Sequence, residues 1–459
     1  MKKGYITVFF ALIFMVLLSF ILSVFEGIRM NAYRLKAECA YSVAANSVLG
    51  EYHKELLEMY DLFYVDTAYN TGAPDYHYVE ARLWKYVENN IGIPPELVEV
   101  DRILLATDNQ GISYRKQISE YMKDRVGVSY LEELWQLSQT VSKEGLLDSD
   151  LNVQNSFDKK WQEALNRKEE IPEKTWDKVE KLSSIEKVCD KGTSVILSQV
   201  IKDDSSISGK KVNITDCVSK RECIKGTGSE KVLDITDKLY FIGYVFEKFS
   251  YYSKERDDKL LDYEIEYLIG NSGSDYENLS QVAEKLLAVR ECMNLTYLLS
   301  DSDRMMAIKE LSQALSTAVV CPELTPVFTI LLVGFWSYAE SVKDVEILFE
   351  GGRVPLFKTD ESWNTDLDNG FGFSITSKQS DEERVGMDYK QYLEMFLLCS
   401  ADEKITLRSM DLIEMNIREI AGNEYFRMDG LAEDFLVNIV FEIPQFGSYQ
   451  IVRRFGYCI

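Results

Sequence analysis

The chain opens on an apolar run from Tyr5 to Phe25, "YITVFFALIFMVLLSFILSVF", in which no residue is charged. As an α-helix rising about 1.5 Å per residue, a run of this length covers roughly the 30 Å hydrocarbon layer of a bilayer, so the pattern predicts a transmembrane helix. A cleaved signal peptide has a shorter apolar region and leaves through small residues, whereas this run exits through the bulky and charged "VFEGIRMNAYR". It therefore reads as an anchor that stays. Beyond it, Ala40, Val43, Ala44, Val48, Leu56, Met59 and Tyr60 recur at helical spacing without a proline, predicting that the membrane helix continues as a stalk over 26–66. Gly72 and Pro74 mark its end.

The segment 67–143 mixes periods. "DYHYVEARLWKYVENN" reads as a short helix, "ELVEVDRILLATDNQG" as a strand with Val98, Val100 and Leu104 on one face, and "SYRKQISEYMKDRVG" and "YLEELWQLSQTVSKE" as amphipathic helices. Residues 144–231 form a polar helix and loop insertion. Helical spacing returns over 232–350 and predicts a bundle, in which Glu264 and Glu266 belong to one long helical stretch. The apolar run from Leu324 to Ala339 lies in this bundle; it is short for a membrane span and continues at helical spacing into "ESVKDVEILFEGG", so it reads as a buried core helix. The last segment, 351–459, is α+β: "RVPLF" and "FGFSIT" read as short strands, and Asp388 and Asp402 open two helices. Phe435, Val437, Ile439, Phe441 and Ile443 then alternate strictly before a turn at Pro444 to Ser448, which predicts a C-terminal β-hairpin. The fold class expected is α+β: cytoplasmic tip and anchor over 1–25, the stalk, then a mainly helical extracytoplasmic body with a small mixed or antiparallel sheet.

Charge sets the orientation. Lys2 and Lys3 precede the span, and the positive-inside bias keeps that end in the cytoplasm and sends the body across, although Arg29, Arg34 and Lys36 follow on the far side. The formal net charge of −24 over 459 residues repels phosphate, which argues against nucleic-acid binding. With 46% apolar residues the body has ample material for a core.

Candidate chemistry is sparse. The eight cysteines include no C-x-x-C pair, so a metal cluster is not expected; Cys217 and Cys223 either close a small loop or pack as small apolar residues. His53 and His77, the only histidines, are too few for a metal site or a Ser-His-Asp triad, and no phosphate loop, nucleophile elbow or zinc helix motif is present. No cofactor is expected. Asp366 and Asp368 beside Gly370 have part of the look of a calcium loop, but the glycine is misplaced and a tight polar turn is the better reading. Asp262, Glu264 and Glu266 crowd together, yet spacing of two on a helix points them apart, toward solvent. Glu340 follows the apolar helix and is expected to be partly buried in an ion pair.

The start "KGYITVFFALIFMVLLSFILSVFEG" resembles the N-terminus of TadE- and TadG-type pseudopilins, which implies prepilin-type processing at Gly4, with Tyr5 following and Phe9 standing where such proteins usually carry glutamate. The missing carboxylate argues against cleavage after Gly4 and against packing in a filament core. Further along, "LLDYEIEYLIGNSGSDYENL", "VRECMNLTYLLSD", "FWSYAESVKDVEILFEGGRVPLFKT" and "DYKQYLEMFLLCS...LRSMDLIEMNI" resemble an uncharacterised family of membrane-anchored proteins of Gram-positive anaerobes. The resemblance implies a non-enzymatic structural or assembly component, with protein partners in a Tad/Flp-type pilus or secretion complex. A surface glycan hydrolase using two carboxylates, or a surface binding module, is the alternative.

Overall fold

The computed structural model describes residues 3–91, 94–125, 127–143, 148–167, 197, 200, 201, 207–227, 235–254, 259–368, 372–375 and 385–457. Much of the polar stretch 144–231, together with Lys2, Cys189, Gly370 and Cys458, lies outside them. In chain order the elements begin with α1 (Lys3–Leu49), α2 (Lys54–Tyr60), β1 (Val65–Asp66), α3 (Tyr76–Ile91), β2 (Leu97–Leu105) and α4 (Ile112–Lys123). Then come α5 (Val128–Lys143), α6 (Asp148–Asn166), α7 (Ile235–Lys248), α8 (Glu264–Gly270), α9 (Asp275–Ser300), α10 (Ser302–Ala318) and α11 (Thr325–Phe349). The chain closes with β3 (Thr365–Asp368), β4 (Gly372–Ile375), α12 (Tyr389–Cys399), α13 (Asp402–Arg418), β5 (Leu431–Ile443) and β6 (Gly447–Gly456). The structure is mostly helical with a small antiparallel sheet, and the C-terminal hairpin β5–β6 pairs from Asp434 with Gly456 to Ile443 with Gly447.

Two compact units divide the chain. The first gathers residues 1–121, 217–234 and 410–459; the second holds 122–216 and 235–409.

In the first unit β5 is central, with β2 on one side and β6 and the short β1 on the other, all antiparallel. The alternation along β5 works as read: Phe435, Val437, Ile439 and Phe441 face a core completed by Val79, Leu83 and Val87 of α3. Helix α1 continues the membrane run without a break to Leu49, and its last turns present Ala37, Ala40, Ala44, Ala45 and Val48 to that core. The small alanines let the helix backbone approach the sheet closely. The helix stops at Leu49, and Leu56 and Tyr60 belong to a separate helix whose first turn is capped by the His53 ring accepting from Leu56 N. The break follows from Gly50 and from the bridge of Tyr52 to Val65, which turns the chain back to the sheet.

One face assignment differs from the alternation. The register of β2 against β5 shifts between Val100 and Arg102, so Ile103 and Leu105, not Leu104, continue the core face of Val98 and Val100. An extra residue in one strand reverses the parity of everything after it.

In the second unit α11 is the central helix. Val327, Phe328, Leu331, Leu332, Val333, Phe335 and Trp336 are buried along it, against Leu295 and Leu298 of α9, Ile308 and Leu315 of α10, and Ala164 of α6. The apolar run Leu324 to Ala339 is thus a core helix. Gly334 is required there: a Cβ at that position would fall 2.3 Å from Cζ3 of Trp161. Among the described residues the helical stretch expected from 232 onward ends at Lys248 and resumes at Glu264. "FGFSIT" supplies β4, which pairs with β3, whereas "RVPLF" forms no strand; Val354 makes only an isolated bridge with Met387. Asp388 opens α12 with a capping box completed by Gln391.

Candidate membrane anchor and the buried charges of the body

Along α1 the side chains from Tyr5 to Phe25 are exposed all round the helix, with Phe14 at 65% and Phe20 at 66% of their full accessibility. A helix without a polar face has no solvent-facing side, and apolar surface of this extent is at home in lipid. Its one central hydroxyl, Ser19, donates to the Val16 carbonyl at 2.9 Å, which satisfies it without water. Among the described residues this is the single helix long and apolar enough to cross a membrane, and it fits a single-pass anchor or a signal sequence. Gly4, Tyr5 and Phe9 all lie in it; Tyr5 and Phe9 are exposed, and the Phe9 ring meets Phe10 edge-on.

Where α1 leaves the span it engages the sheet through charge. Arg34 lies 5.4 Å over the ring of Tyr449, the Tyr449 hydroxyl donates to Glu38 at 2.7 Å, and Arg453 pairs with Glu38 at 2.6 Å. The Tyr41 hydroxyl donates to the Arg453 carbonyl.

A second cluster in the same unit pins 217–227 to α13 and to the turn before β5. Arg221 makes a bidentate pair with Glu414 at 2.6 and 2.8 Å and reaches Asp429 at 2.7 Å, all nearly or fully buried. Burial alone would raise the Asp429 carboxyl, but hydrogen bonds from Arg427 and Arg221 and from Ile224 N hold it down at about 2. Nearby Cys217 and Cys223 are free thiols, so the small disulfide loop left open by their spacing does not form. Burial raises them to about 12 and about 11, which makes them poor nucleophiles.

Glu340 does sit in an ion pair, within a fully buried network. Lys358 donates to Glu340 Oε1 and to Asp344 Oδ1, both at 2.6 Å. Arg290 reaches Asp344 at 3.0 Å and donates to the carbonyls of Pro355 and Leu356. Asn364 and Thr365 complete the shell of Glu340. Two acids balance two bases, which is what makes so much buried charge tolerable. Burial pushes Asp344 up, yet Lys358 and Arg290 outweigh it and leave its carboxyl below the usual range. Glu340 was legible from its place after Trp336; Asp344 one turn later, Lys358 and Arg290 were missed. The helical spacing of Glu340 and Asp344 on an apolar helix was the available signal.

The acidic group at Asp262, Glu264 and Glu266 is not a solvated surface. Asp262 pairs with Lys210 at 2.7 Å, while Glu264 and Glu266 are fully buried and serve the backbone: Glu264 accepts from Ser250 N and Glu266 from Tyr252 N. The Tyr389 hydroxyl also donates to Glu266 Oε1, at 2.7 Å. Burial, with these hydrogen bonds opposing it, raises Glu266 to about 7. His53 is buried against Phe426 and bonded to Asn423, and His77 is exposed beside Asp75. Asp366 and Asp368 fall in β3 and pair with β4, and among the described residues no group of three or more metal-ligating side chains forms.

No curated protein and no solved structure matches the chain. A family model does match, over residues 173–443, which takes in the helices α7 to α13 and ends on the last residue of β5. That is more than half of the sequence, and the chain belongs to this family of unknown function, DUF5702.

Proposed function

We propose that the protein is a structural or assembly component of the cell surface, held in the membrane by Tyr5 to Phe25 with its N-terminus in the cytoplasm and its body outside, and acting as a pseudopilin-like accessory subunit of a Tad/Flp-type pilus or secretion apparatus. The observation that carries the reading is the continuity of α1. One helix is lipid-compatible over its first half and a core element of the sheet unit over its last turns, so the anchor and that unit form one mechanical piece. The resemblance of "KGYITVFFAL" to pseudopilin starts supplies the setting. Phe9 in place of a glutamate favours a subunit that does not polymerise, because a filament core has to neutralise each newly made N-terminal amine.

Deleting the gene and scoring pilus assembly and protein secretion tests this reading; unchanged assembly and secretion would overturn it. A periplasm- or surface-active reporter fused after Ile459 tests orientation, with activity only in the cytosolic form as the refuting result. A carboxylate-based glycan hydrolase requires two acids converging in a cleft. Asp262, Glu264 and Glu266 do not supply them, since two are enclosed and the third is neutralised by Lys210.

A further inference from the structure

We propose that the tip of the β5–β6 hairpin, the turn of Pro444, Gln445 and Phe446, rests in the lipid headgroup layer beside α1 and gives the sheet unit a second foothold on the membrane. The inference rests on the anchoring reading of Tyr5 to Phe25.

The geometry comes from how β6 lies on α1. Tyr449 meets Arg34 and Glu38, Arg453 meets Glu38 and Tyr41, Phe455 meets Tyr41 edge-on, and Tyr457 donates to the Leu49 carbonyl. Helix and strand therefore run the same way, and moving back along β6 moves toward the membrane. Arg34 stands about 14 Å beyond Phe25 along the helix axis at about 1.5 Å per residue. Phe446 lies about 10 Å back from Tyr449 at about 3.3 Å per residue. The tip thus falls about 4 Å beyond the end of the apolar span, inside the headgroup layer that adds roughly 5 to 8 Å on each side of the hydrocarbon.

The chemistry of the tip suits that layer. From Ile443 to Val452, "IPQFGSYQIV", there is no charge, in a chain that is 27% charged and carries −24 overall. Pro444, Gln445, Gly447 and Ser448 are exposed, Phe446 and Tyr449 are half-buried, and positive φ at Gln445 and Gly447 turns the chain back tightly. Aromatic rings with a polar neighbourhood favour the interface. On α1 the same level holds Arg29 beside Ile28 at 61% exposure, with Glu26 about one turn nearer the span and Tyr33 and Arg34 about one turn farther out. Arg29 and the bare Ile28 on the helix and the uncharged turn carrying Phe446 on the hairpin thus stand at one height. Acidic headgroups would repel most of this body; here they meet Arg29 and an uncharged turn.

The full-length protein is reconstituted in vesicles of phosphatidylethanolamine and phosphatidylglycerol, with a photoreactive benzoylphenylalanine in place of Phe446, of Phe14 within the span, or of Tyr425. Tyr425 is 64% exposed and next to Phe426, which packs on His53 beyond the far end of α1. Lipid adducts are expected at positions 14 and 446, at 446 several-fold above 425. Adducts at 14 with none at 446 above the 425 level, or adducts at 446 to a second copy of the chain in place of lipid, overturn the hairpin contact alone. No adduct at 14 overturns the anchor itself. The unaltered protein provides the second arm: vesicles doped with a lipid carrying a headgroup diazirine are expected to label the peptide covering 443–452, and labelling confined to α1 refutes the contact.

Discussion

The ammonium of Lys358 stands 2.6 Å from Glu340 Oε1, and neither side chain has any exposed surface. Buried pairs add little net stability when intact, but removing one partner strands the other. Lys358→Met is therefore expected to cost the second unit about 3–5 kcal/mol, read as a lower urea midpoint of the detergent-solubilised chain. A loss below about 1 kcal/mol would mean that the pair is open to water.

Arg221→Lys probes the other cluster. Lysine keeps the charge but cannot make the bidentate contact with Glu414 while also reaching Asp429. The expected loss is about 2–3 kcal/mol in the first unit, larger for Arg221→Ala. Asp429 adds a pH signature: its folded pKa, at about 2, lies below the usual 3.8, so its contribution is present above pH 3.8 and disappears as pH falls through 2. Acid titration of the Arg221→Ala variant is expected to show that step reduced and moved toward 3.8, since Arg427 and Ile224 N still hold the Asp429 carboxylate.

Glu266 carries the opposite sign. Its folded pKa of about 7 lies above the ordinary 4.5, so the stability it contributes is fully present below 4.5 and is lost as pH rises through 7. The shift corresponds to a change on the order of 3 kcal/mol across that window. Glu266→Gln is expected to flatten the stability of the second unit between those pH values while keeping the bond to Tyr389. Parallel pH profiles for variant and parent would sink the assignment.

Gly334→Ala sets two effects against each other. Alanine favours a helix interior by about 1 kcal/mol over glycine. Its methyl would strike the ring of Trp161, and overpacking a tight core costs about 1–3 kcal/mol. Net destabilisation of up to about 2 kcal/mol is expected, and Trp161→Leu in the same background is expected to reverse it.

What the sequence disclosed follows from what one-dimensional patterns encode. The uncharged run from Tyr5, the alternation from Phe435 to Ile443 and the helix starts at Asp388 and Asp402 are local signals, and each element formed where it was read. The face of β2 was half right, because nothing in "VEVDRILL" announces the extra residue beyond Val100 that its partner strand imposes. Glu264 and Glu266 were assigned to water for a related reason: their partners, the amides of Ser250 and Tyr252, are backbone groups that no side-chain pattern displays. Arg221 lies in a polar stretch that resembles a solvated loop, and only its distant partners Glu414 and Asp429 reveal that it is a core residue.

The discontinuous make-up of the first unit sets an order of events during synthesis. The alanine face of α1 and β2 can meet α3 early, but the sheet side of their shared core is completed only when β5 emerges, after the whole of the second unit has been made. At ordinary translation rates that delay is on the order of tens of seconds. Throughout it α3 alone is at hand to cover residues 37–48, and the core they share stays open on its sheet side until the carboxyl end of the chain arrives.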